Sequence, residues 1–493
     1  MQKEENREKL ADVLRKAEIP DKKREIILKN AGDKLEKEKT MSLSIREGAA
    51  ASVMSGFGDA YITPYALTLN ANNAQIGFLS SFAGLVSPLS QLFGSKLMEK
   101  YPRKRIIMTF VTFHAIMWIP ILLLSLFFWK NIFLSYLPIF LIIFYSVYAI
   151  FGAVAGPAWF SLLGDIVPDK IRGRYFSKRN KITGTIALVS TVIAAFILDF
   201  FKTKGYILIG FSILFVIAGI FRLVSASMFR KHYEPSFKLE KGYYFSIWQF
   251  IKKAPSNNFG KFVIFITLMN FTTSIAGPFF AVYMLKDLQF SYITFILVNI
   301  SSSISSLLFM PIWGKFSDKY GNREMLKIGA IVVPFFPMLW IFSSSPLYLA
   351  LVPQLVGGIG WAAFNLAASN FVYDSVSVQR RGLCVAYYNI IVGIGVFFGA
   401  ALGGILAHYL TITFMNKLLF IFLISGLARL AVTIIFMPSI KEVRKVEKPK
   451  INPLFYFKEI KPMKGIVYEM AGDIRGIGGF FRDKVKSRVK KSK

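Results

Sequence analysis

The sequence predicts an all-α membrane protein with twelve transmembrane helices in two six-helix halves. Of the 493 residues, 54% are hydrophobic, and the mean hydropathy of +0.50 exceeds that of most soluble chains. Apolar blocks of about 20 residues, the length that crosses a hydrocarbon core, recur between positions 43 and 437. The two halves of this region also share residue patterns at a constant offset, which indicates duplication of a six-helix unit.

Each apolar block is interpreted as one transmembrane span, even where Gly or Pro interrupts it, because membrane helices tolerate such residues. The predicted spans, numbered 1 to 12, are 47–69, 73–94, 105–128, 132–163, 181–200, 205–228, 259–285, 290–313, 325–343, 347–373, 384–408 and 414–437.

Loop charge sets the predicted orientation. Alternate loops carry basic runs such as "EKYPRKR" and "PDKIRGRYFSKRNK", whereas the other loops hold only isolated lysines. The positive-inside rule places the basic loops in the cytoplasm, together with both termini. This distribution and the basic tails account for 60 Lys and Arg against 28 Asp and Glu. We therefore expect no nucleic-acid partner, although a formal charge of +32 first suggests one.

The sequence divides into five segments. We expect the basic and aromatic residues of the last segment, 438–493, to bind anionic lipids at the membrane surface. The first segment, 1–44, should form one or two short amphipathic helices. The segments are a cytoplasmic N-terminal amphipathic helical tail (1–44), an N-terminal six-helix half (45–230), a cytoplasmic linker (231–258), a C-terminal six-helix half (259–437) and a basic cytoplasmic tail (438–493).

The sequence gives no support for a disulfide, a metal site or a nucleotide-binding loop. Cys384 is the single cysteine, so an intrachain disulfide is excluded. The three histidines lie far apart, which predicts no metal site, and no phosphate-binding GxxxxGK[ST] loop is present. We expect no cofactor, and the sequence gives no sign that nucleotide hydrolysis supplies energy.

Three pairs of patterns carry the internal repeat. "IAGIFRLVSASMF" in span 6 resembles "ISGLARLAVTIIF" in span 12, which makes Arg222 equivalent to Arg429. "EKYPRKR" likewise resembles "DKYGNRE". The third pair matches Asp165, Arg172, Gly173, Asn180 and Gly184 to Asp374, Arg381, Gly382, Asn389 and Gly393, all at an offset of 209 residues.

The segment "GKFSDKYGNRE" resembles the signature loop of the major facilitator superfamily. It matches that pattern at Gly314, Asp318, Lys319, Gly321 and Arg323. The first-half copy departs from the pattern, with methionine in place of the aspartate and a glutamate one position later. The resemblance implies the twelve-helix fold of that family and alternating-access transport, commonly coupled to protons.

Asp59 is the clearest candidate for a functional group inside a span, because an intramembrane carboxylate is costly to bury. It lies in "MSGFGDAYITPY", where Gly56 and Gly58 permit close helix approach and Pro64 can break the helix. Such a carboxylate could bind a cationic group or carry a proton, since burial favours its neutral form. The alternative is a structural acid hydrogen-bonded to a hydroxyl such as that of Tyr61.

Other polar residues in the spans either line a solute cavity or hydrogen-bond neighbouring helices. The substrate and proton-coupling candidates are Asp59, Tyr61, Asn270, Asn299, Asn365, Tyr387 and Asn389. Arg222 and Arg429 are interpreted as structural, snorkelling or capping carbonyls, and His114 as a packed neutral ring. The ladder of Gly395, Gly399 and Gly403 predicts close helix packing.

A conformational latch is predicted at the basic loops, where acid–arginine pairs between the two halves would hold the cytoplasmic side closed. The alternative is that these charges only set topology. The latch candidates are Gly314, Asp318, Gly321, Arg323, Glu99, Asp165, Arg172, Asp374 and Arg381.

The predicted function is secondary transport of a small solute across the cytoplasmic membrane by a monomer, with the proton as candidate coupling ion. Two alternatives remain: a receptor or scaffold that keeps the fold but moves nothing, and a membrane-embedded enzyme. An enzyme needs a nucleophile, base or metal cluster on facing helices. None is evident in the sequence, so we expect no enzymatic activity.

Overall fold

The computed structural model describes residues 21–235, 246–376, 378–444 and 446, and all regular structure in them is helical. Eleven helices in this part of the chain are long and apolar enough to cross a membrane. They correspond to predicted spans 2 to 12, and span 1 completes the predicted twelve. The two predicted tails beyond residues 21 and 446 and the linker segment 236–245 lie outside the described residues.

The first half contains six helical spans, several of them broken within the membrane. Span 1 is Asp21–Phe57, followed by the short helices Asp59–Tyr61 and Ile62–Thr68. The others are Asn73–Leu97, Arg103–Ile116 with Trp118–Trp129, Leu137–Ile166, Asp169–Thr203 and Ile207–Met228.

A short helix in the linker, Ile247–Lys253, leads into the second half. Span 7 is Asn258–Ala276, Phe279–Val282 and a π-helical turn, Tyr283–Asp287. The remaining spans are Tyr292–Tyr320, then Asn322–Val332 with Phe335–Met338 and Leu339–Ile341, then Pro346–Leu351 with Pro353–Ser375, then Val378–Tyr409, and finally Lys417–Phe436.

Several helices begin earlier or end later than the hydropathy predicts. Span 5 begins at Asp169, so much of its basic loop is helical. Span 8 continues to Tyr320, which places Gly314 and Asp318 in a helix, and Gly321 alone connects it to span 9 with φ +88°. The predicted boundary at residue 45 falls inside the first helix. Charged residues end an apolar run, but Lys, Arg and Glu are good helix formers.

Buried apolar residues form three clusters, distributed unequally between the two ends of the bundle. We call the end with the basic loops the basic end, and the other the opposite end. At the opposite end, one cluster contains residues of both halves, among them Tyr65, Phe211, Phe279 and Tyr292. At the basic end, one cluster is built from the first half and another from the second. The buried residues of each basic-end cluster thus come from one half, whereas the halves share the cluster at the opposite end.

The glycine ladder of span 11 packs against span 7. A Cβ atom on Gly399 would lie 2.1 Å from the carbonyl oxygen of Phe271, and one on Gly403 would lie 2.1 Å from that of Ile275. Only glycine permits this approach, so the predicted packing role of the ladder is confirmed. Gly395 makes the same type of contact with Thr267.

Candidate functional site

Asp59 lies at the break in span 1. The first helix ends at Phe57, and a 3₁₀ turn begins at Asp59 after Gly58. The carboxylate is partly buried. A Cβ atom on Gly58 would lie 2.3 Å from the Trp118 ring, and one on Gly56 would lie 2.6 Å from the carbonyl oxygen of span 5 residue Ala187. The two glycines therefore permit the close approach that the sequence predicted.

Two hydroxyl groups hold the Asp59 carboxylate. Tyr148 Oη donates to Oδ1 at 2.6 Å, and Ser55 Oγ donates to Oδ2 at 2.7 Å. The hydroxyl of Tyr61, which the sequence suggested, instead donates to the carbonyl oxygen of Thr191 at 2.5 Å. Within the described part of the chain, Asp59 forms no ion pair. The groups in direct contact with this carboxylate are therefore hydroxyl dipoles and not cations.

A series of polar contacts extends from this carboxylate toward the basic end. The ring of His114 stacks on Tyr148 with centroids 3.8 Å apart. Nδ1 of His114 accepts a hydrogen bond from Nε of Arg222 at 3.0 Å, which assigns the proton of the neutral ring to Nε2. His114 is buried, in agreement with its interpretation as a packed ring, but it also fixes Arg222 beside the site.

Glu47 and Arg179 complete this series, and neither was singled out in the sequence. Ser225 Oγ donates to Oε1 of Glu47 at 3.0 Å, and Arg222 Nη1 lies 3.4 Å from the same hydroxyl. Arg179 Nη2 lies 3.6 Å from Oε2 of Glu47. Glu47 is the first residue of predicted span 1, and Arg179 lies in a predicted basic loop. At such positions, charged residues are expected only to set the membrane topology. The early start of span 5 brings Arg179 into the bundle.

A cavity of about 340 Å³ lies between the two halves. Hydroxyl groups from both sides face it: Thr63 and Ser80 from spans 1 and 2, and Thr273 and Ser274 from span 7. The Oγ1 atom of Thr273 is buried without a hydrogen-bond partner. The rest of the lining is Gly277, Pro278, Ala281, Val396 and Ala400. No charged side chain is in this lining, which suits an uncharged polar molecule.

The predicted asparagine and tyrosine candidates do not converge on one cavity. Asn270 and Asn299 each donate from Nδ2 to a carbonyl oxygen of their own helix at 2.8 Å. Asn365 is exposed on span 10. Tyr387 is buried against Phe250 of the linker helix.

Asn389 instead reaches toward the other half. Its Nδ2 lies 3.4 Å from Gln91 Oε1, between spans 11 and 2.

Two acids of the predicted latch, Asp165 and Asp374, pair within their own halves. Arg103 Nη1 contacts Asp165 at 2.6 Å. In the second half, Asp374 accepts from Asn322 Nδ2 at 2.6 Å and contacts Arg444 Nε at 2.7 Å. None of the ion pairs between described side chains joins an acid of the predicted latch to an arginine of the other half.

The remaining latch residues behave differently from one another. The Arg323 amide donates to Glu442 Oε2 at 2.7 Å, and its side chain contacts Ile440 and Glu324 of the same half. Asp318 and Glu99 are exposed and make no ion pair among the described residues. The side chains of Arg172 and Arg381 lie outside the described residues.

Arg429 is fully buried in the second half, where it caps carbonyls and does not snorkel. Its Nη1 donates to the carbonyl oxygen of Val333 at 3.3 Å. That oxygen has no helical partner, because the residue four positions later, Pro337, has no N–H. Thr433 likewise donates at 3.0 Å to Ala330, whose helical partner would be Pro334. Span 12 therefore satisfies carbonyls that prolines release in span 9.

Comparison with known proteins agrees with this architecture. The family model of the Major Facilitator Superfamily matches residues 48–273 and again 262–484. An uncharacterized MFS-type transporter of Methanocaldococcus jannaschii is 25% identical over 381 residues, which cover 75% of this chain and 92% of that protein. An uncharacterized transporter of Schizosaccharomyces pombe is 29% identical over 111 residues, 22% of this chain and only 19% of that protein.

The solved structure of a D-xylose–proton symporter has the same fold. It superposes with a TM-score of 0.61 at 15% sequence identity, covering 83% of this chain and 99% of that one. The chain belongs to the Major Facilitator Superfamily, with two six-helix halves in a multi-pass membrane protein. Its relatives are membrane transporters.

Proposed function

We propose that this protein is a secondary active transporter that moves a small uncharged polar solute by alternating access, driven by protons. The observation that carries the proposal is the position of Asp59. Its partly buried carboxylate lies at a helix break, four residues before the cavity-lining Thr63, and only hydroxyl groups hydrogen-bond to it. A carboxylate without a direct cation partner can change protonation at moderate cost.

Proton coupling needs a titratable group whose charge alters the balance between conformations. Asp59 meets this requirement, because span 1 packs against spans 5 and 6, and Arg222 of span 6 acts electrostatically on the carboxylate. Loss of the negative charge would weaken that attraction and change the packing of spans 1 and 6. The matching fold of a proton symporter is consistent with this chemistry.

The lining of the cavity between the halves supports the proposed class of solute. Four hydroxyl-bearing side chains and small apolar residues line about 340 Å³ without a charged group. Hydroxyls can donate to and accept from a neutral polar molecule, whereas a charged one would lose hydration without compensation. The volume favours a molecule of monosaccharide size over a peptide or a large drug.

Membrane placement follows from loop charge. We place the basic end in the cytoplasm, with both termini, in the cell membrane, and we expect a monomer. With that orientation, the shared core at the opposite end and the separate cores at the basic end favour a conformation open toward the cytoplasm.

Reconstitution into proteoliposomes tests this proposal. Vesicles with an acidic exterior and alkaline interior would be incubated with labelled D-glucose, D-glucosamine or D-gluconate, which match in size but differ in charge, and with other neutral polar solutes. We expect a neutral solute to accumulate above equilibrium until a protonophore collapses the gradient. Equilibration without accumulation would refute proton coupling. Preferential uptake of charged solutes would refute the solute class, and absence of flux throughout would favour a scaffold.

A further inference from the structure

Asp199 joins the two halves at the opposite end of the bundle. It lies near the end of span 5, and its carboxylate accepts two main-chain hydrogen bonds from the first turn of span 8. Oδ1 accepts from the Tyr292 amide at 2.7 Å, and Oδ2 accepts from the Ile293 amide at 2.9 Å. Amides in the first turn of a helix have no acceptor within that helix, and the helix dipole favours a negative charge there.

Other contacts around Asp199 also cross between the halves. Lys202 Nζ lies 5.5 Å from the ring centroid of Tyr292, and Phe211 meets the same ring edge-on at 6.0 Å. Spans 2 and 11 approach closely at this end as well. A Cβ atom on Gly77 would lie 2.6 Å from Cα of Gly404, and Asn73 Nδ2 donates to the carbonyl oxygen of Ala407 at 2.9 Å.

The carboxylates at the basic end behave differently. Asp165 and Asp374 both pair with basic residues of their own half. Asp199 differs from these two acids, because both of its carboxylate oxygens accept hydrogen bonds from amides of the other half. A carboxylate that accepts two hydrogen bonds across an interface fixes both distance and orientation.

We propose that Asp199 is the latch of the opposite end, the residue that holds this end closed while the basic end is open. When the opposite end opens, span 5 must leave the first turn of span 8, and both amides must then bond to water. The interaction therefore stabilises one conformation and not the other, as a latch must. This inference rests on the proposed alternating access, but it concerns gating and not coupling or substrate.

Distance measurements between spin labels on the full-length protein in lipid nanodiscs test the latch directly. Labels would be attached to Lys204→Cys and Lys286→Cys, exposed positions of the two halves, in a Cys384→Ala background. Before mutation of Asp199, we expect the conformation that is closed at the opposite end to dominate, seen as one short-distance population. Asp199→Ala should raise the ratio of long-distance to short-distance populations about fivefold or more. Asp199→Asn, which keeps one acceptor oxygen but no charge, should give an intermediate increase.

The matched control is Asp287→Asn. Asp287 is also exposed near this end, but its Oδ2 accepts from Asn416 Nδ2 at 2.8 Å within the second half. Its replacement should leave the distance distribution unchanged. An unchanged distribution in Asp199→Ala would overturn the latch, as would an equal shift in Asp287→Asn. Thermal unfolding of each variant identifies a folding defect. If Asp199→Ala has such a defect, the distance distribution of Asp199→Asn tests the latch in its place. Since no solute or proton gradient is used, the outcome is independent of the transport assay.

Discussion

The two halves carry the same arginine at equivalent positions of their sixth helices, yet its surroundings differ. Arg222 contacts His114 and Ser225 and lies in a polar series that contains two carboxylates, Asp59 and Glu47. Arg429 is surrounded by carbonyl oxygens and a serine. The arginine at this position thus lies beside titratable groups in the first half. In the second half it donates hydrogen bonds to carbonyl oxygens, one of which a proline leaves without a helical partner.

The difference follows from what faces each arginine. Span 9 contains Pro334 and Pro337, which release two carbonyl oxygens toward span 12. Span 3 instead presents His114 toward Arg222. We infer that the titratable side chains that respond to protons lie in the first half. The second half contributes uncharged residues to the lining of the solute cavity.

Among the variants that compare the two halves, Arg222→Met should have the largest effect. Removal of this cation leaves Asp59 and Glu47 with less electrostatic compensation, so the protonated carboxyl is favoured at higher pH. We expect proton-driven accumulation per folded protein to fall by about tenfold or more, equivalent to at least roughly 1.4 kcal/mol. The pH dependence of accumulation should also shift to higher pH. Uptake into proteoliposomes over a pH series measures both quantities.

Arg429→Met is the matched variant for this comparison. Accumulation per folded protein should remain within about twofold of the wild type, because the described hydrogen-bond partners of Arg429 are carbonyl oxygens and a serine hydroxyl. Equal losses in Arg222→Met and Arg429→Met would contradict a division of roles between the halves.

Gly399→Ala should produce the next largest effect, on stability. Its new Cβ atom would meet the Phe271 carbonyl oxygen at 2.1 Å, so span 11 must move away from span 7. Overpacking of this kind costs about 1–3 kcal/mol. Gly184→Ala, where no atom lies within 4 Å of the added carbon, should be neutral or stabilising. Thermal unfolding in detergent compares the two, and similar melting temperatures would show that the ladder tolerates side chains.

A loss of stability in the same range is expected for Arg429→Met itself. The substitution leaves the Val333 carbonyl oxygen without its hydrogen-bond donor, which costs about 1–3 kcal/mol in a buried site. Thr433→Val, which deprives Ala330 of its donor in the same way, should cost toward the lower end of that range. If neither substitution lowers the unfolding temperature, the proline-released carbonyls must find other partners.

Hydropathy and the repeated patterns were sufficient to predict the fold, because long apolar runs admit few structures in a bilayer. They could not locate the ends of spans 5 and 8, where charged residues continue the helix beyond the apolar run. Asp59 stood out because a lone acid within an apolar run is conspicuous. Glu47 and Arg179 did not, since each is ordinary at a span edge until folding brings them together.

Asp199 illustrates a second limit. Its partners are main-chain amides of a helix 93 residues further along the chain, and amides carry no residue-specific signal. The cross-half latch was therefore expected where acids and arginines cluster in sequence, at the basic end. The observed cross-half carboxylate contact is at the other end.

The central claim is that Asp59 carries the coupling proton, and one pair of assays on Asp59→Asn tests it most directly. Asparagine mimics the protonated carboxyl but cannot release a proton. The same proteoliposomes would be assayed for accumulation under a proton gradient and for solute exchange without one. We predict that accumulation is abolished, while exchange, which needs no net proton movement, partly persists. Accumulation against the gradient with an unchanged pH profile in Asp59→Asn would contradict the account.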